Sequence, residues 1–187
     1  MSKSKGNVIN PLTVVEQYGA DALRLALAIR STAGLDKSFG EQDFKAARNF
    51  TNKLWNAARF VLMQNEKDVV LPAIDGGSAA ANDTTAKHHS LEVVVETTRL
   101  LEDLKPGLAT DRLYDEFWHW YCDEQIELYK AGKLSLQALQ QTLIAFIKLL
   151  HPILPHLTEV LWQELRKQKL VEEPLLITSS WPDSDIK

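Results

Sequence analysis

The chain has 187 residues, 45% hydrophobic and 25% charged, with a formal net charge of −4, which is enough material to bury a core without staples and weakly disfavours nucleic acid as a partner of the whole surface. Its one cysteine, Cys122, excludes an internal disulfide and makes a reducing, cytoplasmic setting the expected one. No apolar run nears the ~20 residues of a membrane span; the best, residues 22–29, contains Arg24 and follows Glu16 and Asp21, a pattern unlike a secretory signal.

In chain order, Asn10 caps and Pro11 opens a helix over 11–18 that Gly19 stops. A second helix covers 20–29, residues 31–40 are loop, and a long helix covers 41–65. Residues 75–83 (DGGSAAAND) have nothing to build a core from and read as a low-complexity linker. Helix resumes over 87–104, breaks at Lys105-Pro106-Gly107, returns over 109–131 and again over 136–150. The HPILP stretch at 151–155 interrupts it, because each proline removes a donor and restricts its predecessor. Pro155 then opens a last helix to about 167, and residues 174–182 are extended. The fold class is all-α: a helical bundle preceded by short helices and an N-terminal loop.

Charge is uneven. Residues 1–67 carry ten Lys/Arg against six Asp/Glu, whereas 68–187 carry eleven against nineteen, so a polyanion belongs on the first third. The 41–65 helix has two faces at about 100° per residue. Phe44, Ala47, Leu54, Ala58, Val61 and Leu62, with Phe50 at the edge, make the core side. The other side gathers Lys45, Asn49, Asn52, Lys53, Asn56 and Arg59, with Phe60 among them. Most polar faces are simply solvated. This one lacks carboxylates over its middle turns and combines cations for phosphates, amides for base edges and a ring for stacking, which suits a single-stranded RNA loop. Burial of Phe60 under a neighbouring helix is the rival reading.

The opening MSKSKGN joins lysines, serines and a glycine ahead of a helix N-terminus. Such groups can cradle a polyphosphate, although alone they read more readily as a tag or linker. Residues 1–28, MSKSKGNVINPLTVVEQYGADALRLALA, decide against the linker. Met1-Ser2-Lys3-Ser4 supplies all but the first residue of a Lys-Met-Ser-Lys-Ser loop, and Gly-Asn-Val-Ile-x-Pro and Tyr-Gly-Ala-Asp-x-Leu-Arg follow. This resembles the end of the catalytic domain of class I aminoacyl-tRNA synthetases. The stretches ARNFTNKLWNAARFVL (47–62), LYDEFWHWYCDEQIELYK (113–130), LLHPILPHLTEVLWQEL (149–165) and SSWP (179–182) are most similar to the valyl type and its anticodon-binding domain. Residues 84–104 depart from that pattern, which usually begins with an Asp-x-Trp-Ile-like stretch.

The resemblance implies a division into residues 1–40, the signature loop and connecting helices, and 41–187, the helical anticodon-binding domain. The parent enzyme would ligate valine to its tRNA using ATP with magnesium. Lys3 would be its catalytic lysine, and Ser2, Lys3 and Ser4 would hold ATP. The anticodon stem-loop would lie on Lys45, Asn49, Asn52, Lys53, Asn56, Arg59 and Phe60. No metal site is implied, and the piece would act as a monomer docked on the rest of the catalytic domain. The His-x-Gly-His signature of the class is not in the chain, so the expectation is a C-terminal fragment that does not aminoacylate by itself. Isoleucyl or leucyl relatives, and a helical protein-interaction module without an RNA role, stay open as alternatives.

Other residues read as structural. His119 and Cys122 lack further ligands for a metal, His88-His89 look like a solvated helix start, and His151 and His156 cap or pack beside the prolines. Trp55, Trp118, Trp120 and Trp162 are expected in packing. The acidic stretch 115–127 is expected to face away from RNA.

Overall fold

The computed structural model describes residues 9–29, 31, 39–65 and 76–182. Helix α1 (Pro11–Tyr18) begins at Asn10, whose Oδ1 accepts the Leu12 N–H at 3.0 Å. Gly19 ends it with φ +91° and opens α2 (Ala20–Ala28), a backbone conformation that costs a glycine nothing. Helix α3 runs Glu41–Asn65, with the bounds expected of it. Its predicted core side is buried throughout: Phe44, Ala47, Phe50, Leu54, Ala58, Val61 and Leu62.

Helix α4 (Gly76–Glu102) starts well before the predicted residue 87. Residues 76–83 of the expected low-complexity segment form its first turns. Alanine is the best helix former, Ala79 is buried, and the polar residues are put to use. Asn82 Nδ2 donates to the Lys133 carbonyl at 2.8 Å, and Asp83 Oδ1 accepts the Ser135 N–H at 2.9 Å. His88 and His89 therefore lie within a helix rather than at its start. His89 Nε2 sits 2.8 Å from Glu116 Oε2, with its ring centroid 4.2 Å from that of Trp120.

After a turn in which Leu104 takes φ +57°, one continuous rod follows: α5 (Pro106–Asp115), a π-helical stretch (Glu116–Gln125) and α6 (Ile126–Lys130). Helix α7 (Leu136–Leu150) is capped by Ser135, whose Oγ accepts the Ala138 N–H, and α8 spans Pro155–Lys167. The tail is not wholly extended. A 3₁₀ turn at Leu176–Thr178 buries Leu176, and Trp181 Nε1 donates to Thr98 Oγ1 at 2.8 Å.

The core lies where α3, the π stretch, α7 and α8 meet. Phe50, Phe117, Tyr121, Phe146 and Trp162 are fully buried. The Phe117 ring stands edge-on to Phe50 (5.7 Å) and to Phe146 (5.4 Å), the offset geometry that ring quadrupoles favour. The buried hydroxyl of Tyr121 donates to the Leu139 carbonyl. Helix α2 is fastened to the α7–α8 corner. Arg24 donates from Nε to the Ile153 carbonyl (2.9 Å) and from Nη2 to that of Pro152 (2.8 Å). Asp21 accepts the Leu157 N–H at 2.6 Å and faces His156 Nδ1 at 2.8 Å. His151 Nδ1 lies 2.7 Å from Thr158 Oγ1, so both corner histidines have structural partners. Among the described residues, no helix is long and apolar enough to cross a membrane.

Candidate nucleic-acid interface

The solvent side of α3 is a stripe. Lys45, Asn49, Asn52, Asn56 and Arg59 are exposed along it. Asn52 sits near its centre, with Lys45 and Arg59 two turns either way, as a helical period of 3.6 dictates. Lys53 and Phe60 lie about a quarter turn round, on the flank where the π stretch and α6 pass. Both are half-buried.

The cations differ in how they are held. Lys45 Nζ is 2.8 Å from Glu41 Oε1, one turn back on the same exposed face, a pairing that water weakens. Lys53 Nζ is 2.9 Å from Asp123 Oδ1 and 4.5 Å from the centre of the Trp118 ring. Trp118 and Asp123 are five residues apart, one turn of the wider π-helix, so both reach the same ammonium. Lys53 holds the Asp123 carboxyl below its usual range, His119 adding less. Arg59 has no carboxylate partner among the described residues. Phe60 stands edge-on to Tyr129 (centroids 6.3 Å apart), with Lys130 Nζ 5.4 Å from its centre.

Two expectations are corrected. The acidic stretch 115–127 does not all face away from the cationic helix: Asp123 sits on Lys53, while Glu116 is taken by His89 and by Arg112 at 3.3 Å. A carboxylate-free helix face can still receive a carboxylate from a neighbouring rod. Trp118, Trp120 and Trp162 are packing residues, but Trp55 is 37% exposed on the flank opposite Lys53. Arg48 is exposed on that flank too. Helical period fixes the flank on which both residues lie, whereas their exposure depends on what packs there. Ser2, Lys3 and Ser4 lie outside the described residues.

Cys122 is buried beside Tyr121 and Asp123, and burial pushes its thiol up to about 12. At pH 8 its thiolate fraction is on the order of 10⁻⁴, and the thiolate is the reactive species. Iodoacetamide at pH 8 should therefore modify the folded chain at least ~100-fold more slowly than the urea-unfolded chain; equal rates would show that Cys122 is accessible.

The sequence pattern described as the anticodon-binding domain of tRNA ligases matches residues 83–187, more than half of the chain. The chain belongs to this anticodon-binding family. A second pattern, that of class I tRNA synthetases (I, L, M and V), matches residues 1–40. Helix α3 falls between the two, yet alignments with relatives run through it. A valine–tRNA ligase of Clostridium tetani is 37% identical over 192 residues, covering 98% of this chain and 21% of the relative. One of Thermus thermophilus is 40% identical over 195 residues, covering 98% and 21%, and one of Dehalococcoides mccartyi is 39% identical over 194, covering 99% and 22%. The chain thus spans about a fifth of the length of these relatives. The LeuRS of Agrobacterium radiobacter K84, crystallised with tRNA and LeuAMS, superposes with a TM-score of 0.74 over 97% of this chain and 22% of its own, at 23% identity. That likeness shows the fold, an all-α helical bundle.

Proposed function

We propose that this chain is the tRNA-reading part of a cytoplasmic valine–tRNA ligase, whose whole enzyme joins valine to tRNA with ATP and magnesium. Residues 1–40 would end the catalytic domain, with Lys3, Ser2 and Ser4 at the ATP phosphates, and residues 41–187 would carry the anticodon stem-loop. The chain would work as one copy docked on the rest of the enzyme and would not aminoacylate alone. The observation that carries this reading is the stripe of amides and cations on α3, with Arg59 unpaired among the described residues, in a chain of the anticodon-binding family.

In this reading Asn49, Asn52 and Asn56 meet base edges, Arg59 meets a phosphate, and Phe60 offers the part of its ring that Tyr129 leaves open. Lys53 reaches RNA only by exchanging Asp123 for a phosphate. A valine anticodon hairpin titrated at several salt concentrations tests it. Arg59→Ala should reduce the log–log salt slope by about one, and Lys53→Ala by less. Binding that ignores salt, or an Arg59→Ala slope equal to the parent's, overturns the assignment. Isoleucine or leucine hairpins that compete equally would remove the valine identity.

A further inference from the structure

The flank of α3 opposite Lys53 borders a groove of about 280 Å³ between the α1–α2 junction, α3 and the first turn of α8. That is just below the ~300–1,000 Å³ typical of small-ligand pockets. Four side chains on its wall come from two different elements, Arg48, Asn52 and Trp55 from α3 and His156 from α8, set against Asp21 of α2.

Their chemistry converges. Trp55 is exposed and, unlike Trp118 and Trp120, has no ring partner among the described residues. Arg48 donates from Nη1 to the Tyr18 carbonyl at 2.9 Å, which anchors the guanidinium and leaves its other donors uncommitted. Gly19 makes room for it: a Cβ there would stand 3.3 Å from Nη1. His156 Nδ1 faces Asp21 Oδ1 at 2.8 Å. A carboxylate accepts, so Nδ1 carries the proton, and in that tautomer Nε2 is the acceptor that faces outward. The Asp21 carboxylate is engaged by His156 and by the Leu157 N–H at the positive end of α8, and Arg48 is the group of the groove that offers an anion positive charge.

We infer that this groove is a second nucleotide site for the same RNA loop: one base lies on the Trp55 indole, its phosphate on Arg48, and its ribose 2′-hydroxyl donates to His156 Nε2. Asn52, shared by the stripe and the groove, makes the two continuous. The inference rests on the RNA-binding reading above. A peptide fits less well, because the aromatic face, guanidinium and lone acceptor match the three parts of a ribonucleotide.

The test uses the full chain with an RNA anticodon hairpin and its 2′-deoxy counterpart, read by anisotropy of a labelled hairpin. Trp55→Ala should weaken the RNA hairpin roughly 5- to 150-fold, while Trp55→Phe retains a ring and most of the affinity. His156→Ala should reduce the preference for RNA over its deoxy form, and an undiminished preference would remove the 2′-hydroxyl contact. Parent-like affinity in Trp55→Ala, with Arg59→Ala still weakened, overturns the groove and spares the stripe. No hairpin binding by the parent chain overturns both. Folding of each variant is checked by circular dichroism, and the exposure of Trp55 and His156 keeps both substitutions outside the core.

Discussion

Trp162→Ala should lower the unfolding free energy by about 3–5 kcal/mol, the span observed when a large aromatic side chain is removed from a core. The ring is 0% exposed on α8, where α8 meets α3 and α7. Its Nε1 donates to the Glu173 carbonyl at 2.9 Å, tying the segment after α8 back to the bundle, and Lys148 Nζ stands 5.8 Å from its centre. Truncation removes apolar burial, leaves a cavity and orphans that carbonyl. Ordinary domains are stable by only about 5–15 kcal/mol, so the variant should show a much earlier urea midpoint. Trp162→Phe should recover part of the loss and keep the orphaned carbonyl. A loss below ~1 kcal/mol for Trp162→Ala would mean that the α8 contact is not part of the cooperative core.

The second large effect belongs to Asp21. Its carboxylate is buried and acts as the cap that α8 lacks locally, since Leu154 provides no side-chain acceptor. Asp21→Ala strips partners from the Leu157 amide and from His156. His156 is exposed, so its ring regains water; loss of the cap on the Leu157 amide costs about 0.5–2 kcal/mol, and a total of ~1–2 kcal/mol is expected. Asp21→Asn retains an acceptor oxygen and should lose less. Amide exchange gives a local reading: Leu157 should exchange faster in Asp21→Ala, and unchanged protection there would end the capping account.

Much of this fold was legible from local chemistry. Asn10, Pro11 and Gly19 bracket α1 because capping, fixed φ and positive φ are single-residue properties. The apolar period of α3 determined its buried side, and Pro155 marked the start of α8. What escaped the reading depends on distance or on an unusual period. The start of α4 was hidden because Asn82 and Asp83 find their partners at Lys133 and Ser135, far along the chain. The π stretch breaks the assumed 3.6-residue repeat, so neither Trp118 nor Asp123 could be placed on Lys53 from spacing. Within the candidate interface, the amides and Arg59 lie where the wheel put them, whereas the surroundings of Lys53 and the openness of Trp55 are tertiary facts.

Arg24 and Asp21 grip both sides of the bend between α7 and α8, Arg24 taking two carbonyls within it and Asp21 an amide hydrogen after it. The orientation of α2 is thereby tied to the start of α8, so residues about 130 positions apart in sequence are held to one another by three hydrogen bonds.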